Sequence, residues 1–180
     1  LGFPVAMKVN SRDITHKTDA GGVLLNLVNA QAVSAAYHEI VENIKLNRPD
    51  AQMDGISIEP MVVKPNGREL MVGVIRDPVF GPALVFGQAG TAVEIHRDRA
   101  VALPPLNLPL ARDLMARTRV SALLDESPRR PAADREAVAL ALVKLSQLVA
   151  DHPEIVELDV NPLLADGDGV VAVVGFARIA

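Results

Sequence analysis

Near the end of the chain, Glu157-Leu158-Asp159-Val160-Asn161 alternates oxygen-bearing side chains with aliphatic ones. A β-strand turns successive side chains to opposite faces. The run therefore sends Glu157, Asp159 and Asn161 one way and Val156, Leu158 and Val160 the other. Two carboxylates and an amide oxygen on one face suit a hard cation such as Mg2+, which takes oxygen ligands and keeps some waters for phosphates. A half-exposed strand with a solvated face gives the same alternation, and the pattern alone leaves both readings open. Pro162 is expected to end the strand, which puts Asn161 at a sheet edge.

Three further sets of residues have chemistry to offer. The polar loop Ser11 to Gly22 holds His16, Lys17, Gly21 and Gly22. Paired glycines let backbone amides approach an anion closely. Lys17 adds positive charge, and His16 adds a nitrogen nucleophile or base. A plain surface loop with a Gly-Gly turn reads the same way. Lys8 lies on the polar face of a strand that is apolar on its other face, so it either neutralises phosphate charge or meets water. Glu59 and Glu69 each sit in an otherwise apolar strand, as acceptors for an adenine amine or ribose hydroxyls, or as solvent-facing charges. Together these are the parts of a nucleotide site, although sequence does not give the distances between them.

The elements that must position them follow from periodicity. Pro4 to Asn10 reads as a strand, with Val5, Met7 and Val9 on one face. Val23 to Val28 is a second apolar run. Asn29 caps an expected helix from Ala30 to Asn47, ended by Pro49, with a stripe of Ala32, Ala36, Ile40 and Ile44. Ile56 to Val63 and Glu69 to Arg76 read as strands flanking Lys64-Pro65-Asn66-Gly67, and an Asn-Gly pair between two apolar runs signals a hairpin. Pro82 to Phe86, Ala92 to Ile95 and Ala100 to Leu103 continue a sheet. Asn107 with Pro109 opens helical text to about Leu124, in two pieces. Ala132 to Asp151 is a helix with a stripe of Val138, Leu142, Leu145 and Val149. Ile155 to Val160 and Val170 to Val174 are strands around Asp166-Gly167-Asp168-Gly169. The sum is an α+β fold with a mixed, largely antiparallel sheet and helices packed on it.

Composition narrows the function classes. Apolar residues make up 49% of the chain, enough for a core, while aromatics are only 3%, so Val, Leu, Ile and Ala must fill it. The formal net charge of -4 argues against nucleic acid as a partner, which would call for a basic face. With no cysteine there is no disulfide, thiolate catalysis or Cys-based zinc site. No apolar run approaches the ~20 residues that span a bilayer, and no signal peptide is visible, so the expected location is the cytoplasm, away from membranes. The chain enters a strand-like run at once after Leu1 and stops just after another. Residues 1–180 therefore read as part of a domain cut from a longer chain.

Several motifs, in order, resemble a known family. Gly2-Phe3-Pro4-Val5-Ala6-Met7-Lys8-Val9, then Asp13-Ile14-Thr15-His16-Lys17 through Gly21-Gly22-Val23, resembles the opening of the ATP-grasp region in ADP-forming acetyl-CoA synthetases. Ile58-Glu59-Pro60-Met61-Val62 resembles its adenine-binding hinge. Gly67-Arg68-Glu69-Leu70, Val72-Gly73-Val74, Asp77-Pro78-Val79-Phe80-Gly81-Pro82 and Glu157-Leu158-Asp159-Val160-Asn161-Pro162-Leu163 are similar to further family segments. Leu103 to Asn107 with Leu110-Ala111-Arg112 is similar to bacterial members fused to an acetyltransferase module, the protein-lysine acetyltransferases.

The resemblance implies an ATP-grasp-like fold and interconversion of acid, CoA and ATP with acyl-CoA, ADP and phosphate, through an acyl phosphate and phosphohistidine. ATP or ADP and Mg2+ are the implied cofactors. Lys8, with Lys17, Gly21 and Gly22, is placed at phosphates. Glu59, Met61 and Val62 are placed at adenine and Glu69 at ribose. Asp159 and Asn161, with Glu157, are placed at the cation. His16 stands at the phosphohistidine. The implied partner is a CoA-binding segment or subunit of the same enzyme, and a fused acetyltransferase domain is a further one.

Two departures stand out. Gly87-Gln88-Ala89-Gly90 has Ala89 where the family has a glycine. The last strand, Val173-Val174-Gly175-Phe176-Ala177-Arg178-Ile179, lacks the Asp that the family places before Ala-Arg-Ile. That position falls on Val174 or on Phe176, depending on the alignment. The retained site residues favour an enzyme part, whereas the missing Asp favours a degenerate module that regulates an acetyltransferase.

Overall fold

A computed structural model of the chain describes residues 1–14, 17–89 and 98–180. Its contacts divide it into two units, Leu1–Val63 and Lys64–Ala180. The first unit is built around β1 (Val5–Asn10), which pairs antiparallel with β2 (Val23–Leu27) on one side and β3 (Gly55–Pro60) on the other. Met7 and Val9 of β1 bury against α1 (Ala30–Asn47), whose Ala36, Ile40 and Ile44 return every four residues to one face. The Asn29 side chain accepts from the Ala32 amide at 2.8 Å and so satisfies one of the unpaired donors that start the helix.

In the second unit a sheet runs in the order β6 (Arg99–Ala102), β5 (Gly81–Gln88), β4 (Arg68–Asp77), β7 (Ile155–Asp166), β8 (Gly169–Ala172). A last strand, β9 (Gly175–Ile179), pairs with the first half of β7. The helices α2 (Leu108–Ala116), α3 (Val120–Leu123) and α4 (Arg135–Asp151) supply Leu114, Met115, Val120, Val138 and Leu142 to a core shared with Leu70, Val72, Val74, Leu84, Phe86, Leu158 and Val160 of the sheet. The residues between these in sequence, Glu69, Gly73, Asp159 and Asn161, take the other face.

The architecture is α+β as expected, with four corrections. All described strand pairings are antiparallel, and the described strands form two sheets rather than one. Pro65-Asn66 is a turn, closed by the Gly67 amide on the Lys64 carbonyl at 2.8 Å, but it does not make a hairpin. The strand before it pairs with β1 and the strand after it with β5 and β7. A turn dipeptide fixes the local chain reversal, not the partner strand. The last long helix starts at Arg135 with Asp134 as its cap, three residues later than the apolar stripe suggests.

The fourth correction concerns β7, which Pro162 does not end. Leu70 of β4 pairs with Leu163 and Val72 with Val160, so Met71 alone faces Asn161 and Pro162. This is a β-bulge, a place where a residue without an N–H is tolerated inside a sheet. The extra residue shifts the parity of burial: Leu158 and Val160 face the core before it, Leu163 and Ala165 after it. The expected strand at Ala92 to Ile95 lies outside the described residues.

Arg68, only 4% exposed, holds the loop after α3 to the start of β4. Its guanidinium donates to the carbonyls of Leu123 (2.7 Å), Asn66 (2.8 Å), Asp125 (3.3 Å) and Pro131 (2.6 Å). Removing it takes the donor from four part-buried carbonyls at once, and an unsatisfied buried group costs roughly 1–3 kcal/mol. Arg68→Met is therefore expected to lower stability by about 3 kcal/mol or more in urea unfolding. Arg112→Met, which breaks the exposed Arg112–Glu136 pair, should change it far less. Equal shifts for the two variants would contradict this account of Arg68.

Candidate functional site

Each unit carries its own group of polar side chains. In the first, β1 and β3 are in register with Ala6 opposite Glu59 and Lys8 opposite Ser57. Lys8, Ser57 and Glu59 therefore share the face turned away from α1. Lys8 Nζ donates to Glu59 Oε2 at 2.7 Å, and the Ser57 hydroxyl donates to Glu59 Oε1 at 3.3 Å. The Lys8 hydrogen bond holds the Glu59 carboxyl below its ordinary value, against the opposing effect of burial, and the charge of Lys17 adds to the lowering. Glu59, expected as an acceptor for adenine or ribose, pairs with Lys8 in this structure. The two meet because they lie on neighbouring antiparallel strands, a pairing that spacing alone does not reveal. Ser57, two residues before Glu59, shares its face by the same period and is a member that sequence reasoning missed.

The glycines of the loop have structural reasons of their own. Gly21 has φ +71°, a left-handed conformation that favours glycine. A Cβ on Gly22 would stand 2.4 Å from Val9 Cγ1. Their amides already donate within the loop, Gly21 to the Thr18 carbonyl at 2.9 Å and Gly22 to the Lys17 carbonyl at 2.8 Å. In this structure the two amides expected at an anion are engaged within the loop. Thr15 and His16 lie outside the described residues, so the expected nucleophile has no geometry here. Met61 and Val62 follow β3 in irregular backbone, with the Met61 amide donating to the Pro4 carbonyl at 3.0 Å.

In the second unit the outward face of the sheet has an in-register row of Val85, Gly73, Asp159 and Phe176 across β5, β4, β7 and β9. Asp159 and Asn161 are half-buried on this side, as β7 parity requires. A carboxylate and an amide oxygen two residues apart are the donor set that Mg2+ accepts, with phosphates and water completing its shell. Among the described residues no three His, Cys, Asp or Glu side chains gather into a metal-holding group. Glu157, the third expected oxygen, has an arginine beside it. It pairs in register with Arg178, whose Nε donates to Glu157 Oε2 at 3.1 Å.

Of the two positions offered for the missing Asp, Phe176 is the one paired with Asp159, whereas the Val174 carbonyl accepts from the Asn161 amide at 3.1 Å. Glu69 is exposed on β4 and lines a cavity of about 390 Å³ with Gln88, Ala89, Leu123 and Arg130. Ala89 fits without disturbance: it is buried, and its amide donates to the Glu69 carbonyl at 3.0 Å.

The model of the ATP-grasp domain family matches residues 1–178. The chain is similar to the beta subunit of the ADP-forming acetate–CoA ligase I of Pyrococcus furiosus, at 38% identity over 96% of this chain and 74% of that subunit. It is 36% identical to the ADP-forming acetate–CoA ligase I of Archaeoglobus fulgidus over 99% of this chain and 26% of that protein. The dinucleotide-forming acetyl-coenzyme A synthetase 1 of Ca. Korarchaeum cryptofilum, solved in complex with coenzyme A, Ca-AMPCP and HgCl+, matches with a TM-score of 0.94 at 35% identity, over 99% of this chain and 77% of that one. A second structure of that enzyme, with coenzyme A and Mg-AMPPCP and its phosphohistidine segment pointing towards the nucleotide binding site, matches with a TM-score of 0.82 at 33% identity, over 99% and 78%. The chain thus spans three quarters of the beta subunit and a quarter of the Archaeoglobus protein.

The Lys8–Glu59 pair has a pH signature. A carboxyl whose folded value is depressed contributes stability that is full above its unfolded value, here about 4.5, and is lost as pH falls through the lower folded value. The stability gap between wild type and Glu59→Gln, followed by urea unfolding, should be constant above about pH 5 and shrink as the solution becomes more acidic. A gap that widens on acidification would rule the pair out as its source.

Proposed function

Because the chain belongs to the ATP-grasp domain family, which its sequence matches over residues 1–178, we propose that it is the nucleotide-binding and phosphate-transfer part of an ADP-forming acyl-CoA synthetase. The reaction joins an acid and CoA at the expense of ATP, giving acyl-CoA, ADP and phosphate. The observation that carries this reading is the near-complete structural match to the Korarchaeum synthetase in its complex with coenzyme A and Ca-AMPCP. The beta subunit and the Archaeoglobus ligase support the same activity and a longer enzyme. The 180 residues are the ATP-grasp portion of that enzyme, and its partner is a CoA-binding segment or subunit. An acetyltransferase module has no support among these relatives.

In this reading Lys8, held by Glu59, meets the nucleotide phosphates, and Lys17 adds charge beside them. The backbone and side chains of Met61 and Val62 receive adenine, and the Glu69 carboxylate accepts from ribose hydroxyls. Asp159 and Asn161 hold the cation, which supplies positive charge to the phosphate oxygens. His16, with its imidazole neutral, takes the terminal phosphoryl group of ATP. A ring nitrogen forms the bond to phosphorus, the bridging oxygen leaves with ADP, and the phosphohistidine passes its phosphoryl group on to an acid. Phe176 beside Asp159 offers no oxygen, so the cation has one protein ligand fewer than the family pattern, and phosphoryl transfer is slower than nucleotide binding would suggest.

Labelled ATP tests this reading directly. The full-length parent should acquire acid-labile, base-stable phosphate from ATP labelled in its terminal phosphoryl group. His16→Ala should carry none in this segment, and Phe176→Asp should label faster. Label that persists unchanged in His16→Ala would refute the proposed transfer.

A further inference from the structure

Residues 60–68 run from the end of β3 into β4, and six of the nine are tied down. On the near side, Pro60 is paired with Val5 and the Met61 amide donates to the Pro4 carbonyl at 3.0 Å. On the far side, Lys64 Nζ donates to Asp166 Oδ1 at the end of β7. That pair is well sheltered, its side chains 17% and 10% exposed. The same Asp166 oxygen accepts from the Asp168 amide at 2.9 Å, and the Asp166 carbonyl accepts from Asp134, the cap of α4. The carboxylate is thus fixed by the β7–β8 turn before Lys64 reaches it. Gly67 then closes the turn onto Lys64. A Cβ there would stand 3.0 Å from the Lys64 carbonyl oxygen and 3.2 Å from Lys64 Cβ, so the turn leaves little room for a side chain. Arg68 adds a bond to the Asn66 carbonyl.

Between these anchors lie Val62 and Val63, exposed, in irregular backbone, and with no backbone hydrogen bond among the described residues. Two residues free at both ends would sample many conformations, and ordering each of them costs backbone entropy. Pinning both ends in advance removes part of that cost from ligand binding.

We propose that the Lys64–Asp166 ion pair is a positioning device for the adenine-binding segment: it fixes the far end of Met61–Val63, so that only Val62 and Val63 adjust when a purine nucleotide is taken up. This rests on the reading of Met61 and Val62 as the adenine segment. Lys64 and Asp166 touch no ligand themselves. Their effect falls on the base half of the nucleotide, whereas Lys8, Asp159 and Asn161 deal with phosphate and cation. A purely structural pair would weaken both halves together or neither.

The test uses the full-length parent and titration calorimetry with two probes, ADP plus magnesium and inorganic tripolyphosphate plus magnesium. Lys64→Met and Asp166→Asn, checked for folding by circular dichroism, should each bind ADP at least tenfold more weakly while binding tripolyphosphate as wild type does. Asp166→Asn keeps the shape of the turn, so it serves should Lys64→Met fail to fold. The double variant Lys64→Asp with Asp166→Lys should recover part of the lost ADP affinity. Unchanged ADP affinity in a folded variant, or parallel losses for both probes, overturns the positioning role. Wild type that binds neither probe overturns the nucleotide reading beneath it, an outcome separate from the first two.

Discussion

A sheet with helices packed on one face must sort its side chains by parity, and β7 has to do so over twelve residues. Its even-numbered aliphatics, Leu158 and Val160, are held in the core, which forces Asp159 and Asn161 to the opposite side. The bulge at Asn161 and Pro162 then resets the parity, so that Leu163 and Ala165 stay buried through the second half. Without that extra residue one half of the strand would present the wrong face. The polar pair of the second unit exists because the core on the other face permits no alternative register.

The first unit solves a related problem with charge. Lys8 lies mostly covered on the face of β1 away from α1, where an ammonium group without a partner would be costly. Glu59 meets it from the neighbouring strand at 2.7 Å, and Ser57 holds the second carboxylate oxygen. The pair gives the Lys8 side chain a partner and fixes its direction. At the start of the second unit, Lys64 and Asp166 repeat the device on the other side of Val62 and Val63.

Much of this was legible in the residues because local rules govern it. The Asn29 and Asn107 caps, the α1 stripe of Ala36, Ile40 and Ile44, and the alternation of β7 follow from side-chain chemistry and from periods of 3.6 and 2. The ordered motifs identified the family. Strand partnership was not legible: the Asn66-Gly67 turn looks like a hairpin, and nothing local says that the strands beside it join different sheets. The bulge was missed because proline in a strand reads as a stop unless the pairing strand is known. The occupation of Glu59 by Lys8 and of Glu157 by Arg178 was hidden for the same reason, since each contact crosses a ladder. The turn-closing hydrogen bonds of Gly21 and Gly22 were hidden as well, since composition does not say which amides close a turn.

The central claim is that the polar side chains of each unit are nucleotide ligands. Hydrogen–deuterium exchange on the full-length parent, with and without ADP plus magnesium, tests it most directly. The account predicts slower exchange on nucleotide addition in peptides covering residues 5–10 and 57–63 of the first unit and residues 69–74 and 157–162 of the second, with little change on the helical side at 138–149. Protection confined to one unit, or none at all at saturating nucleotide, would contradict it.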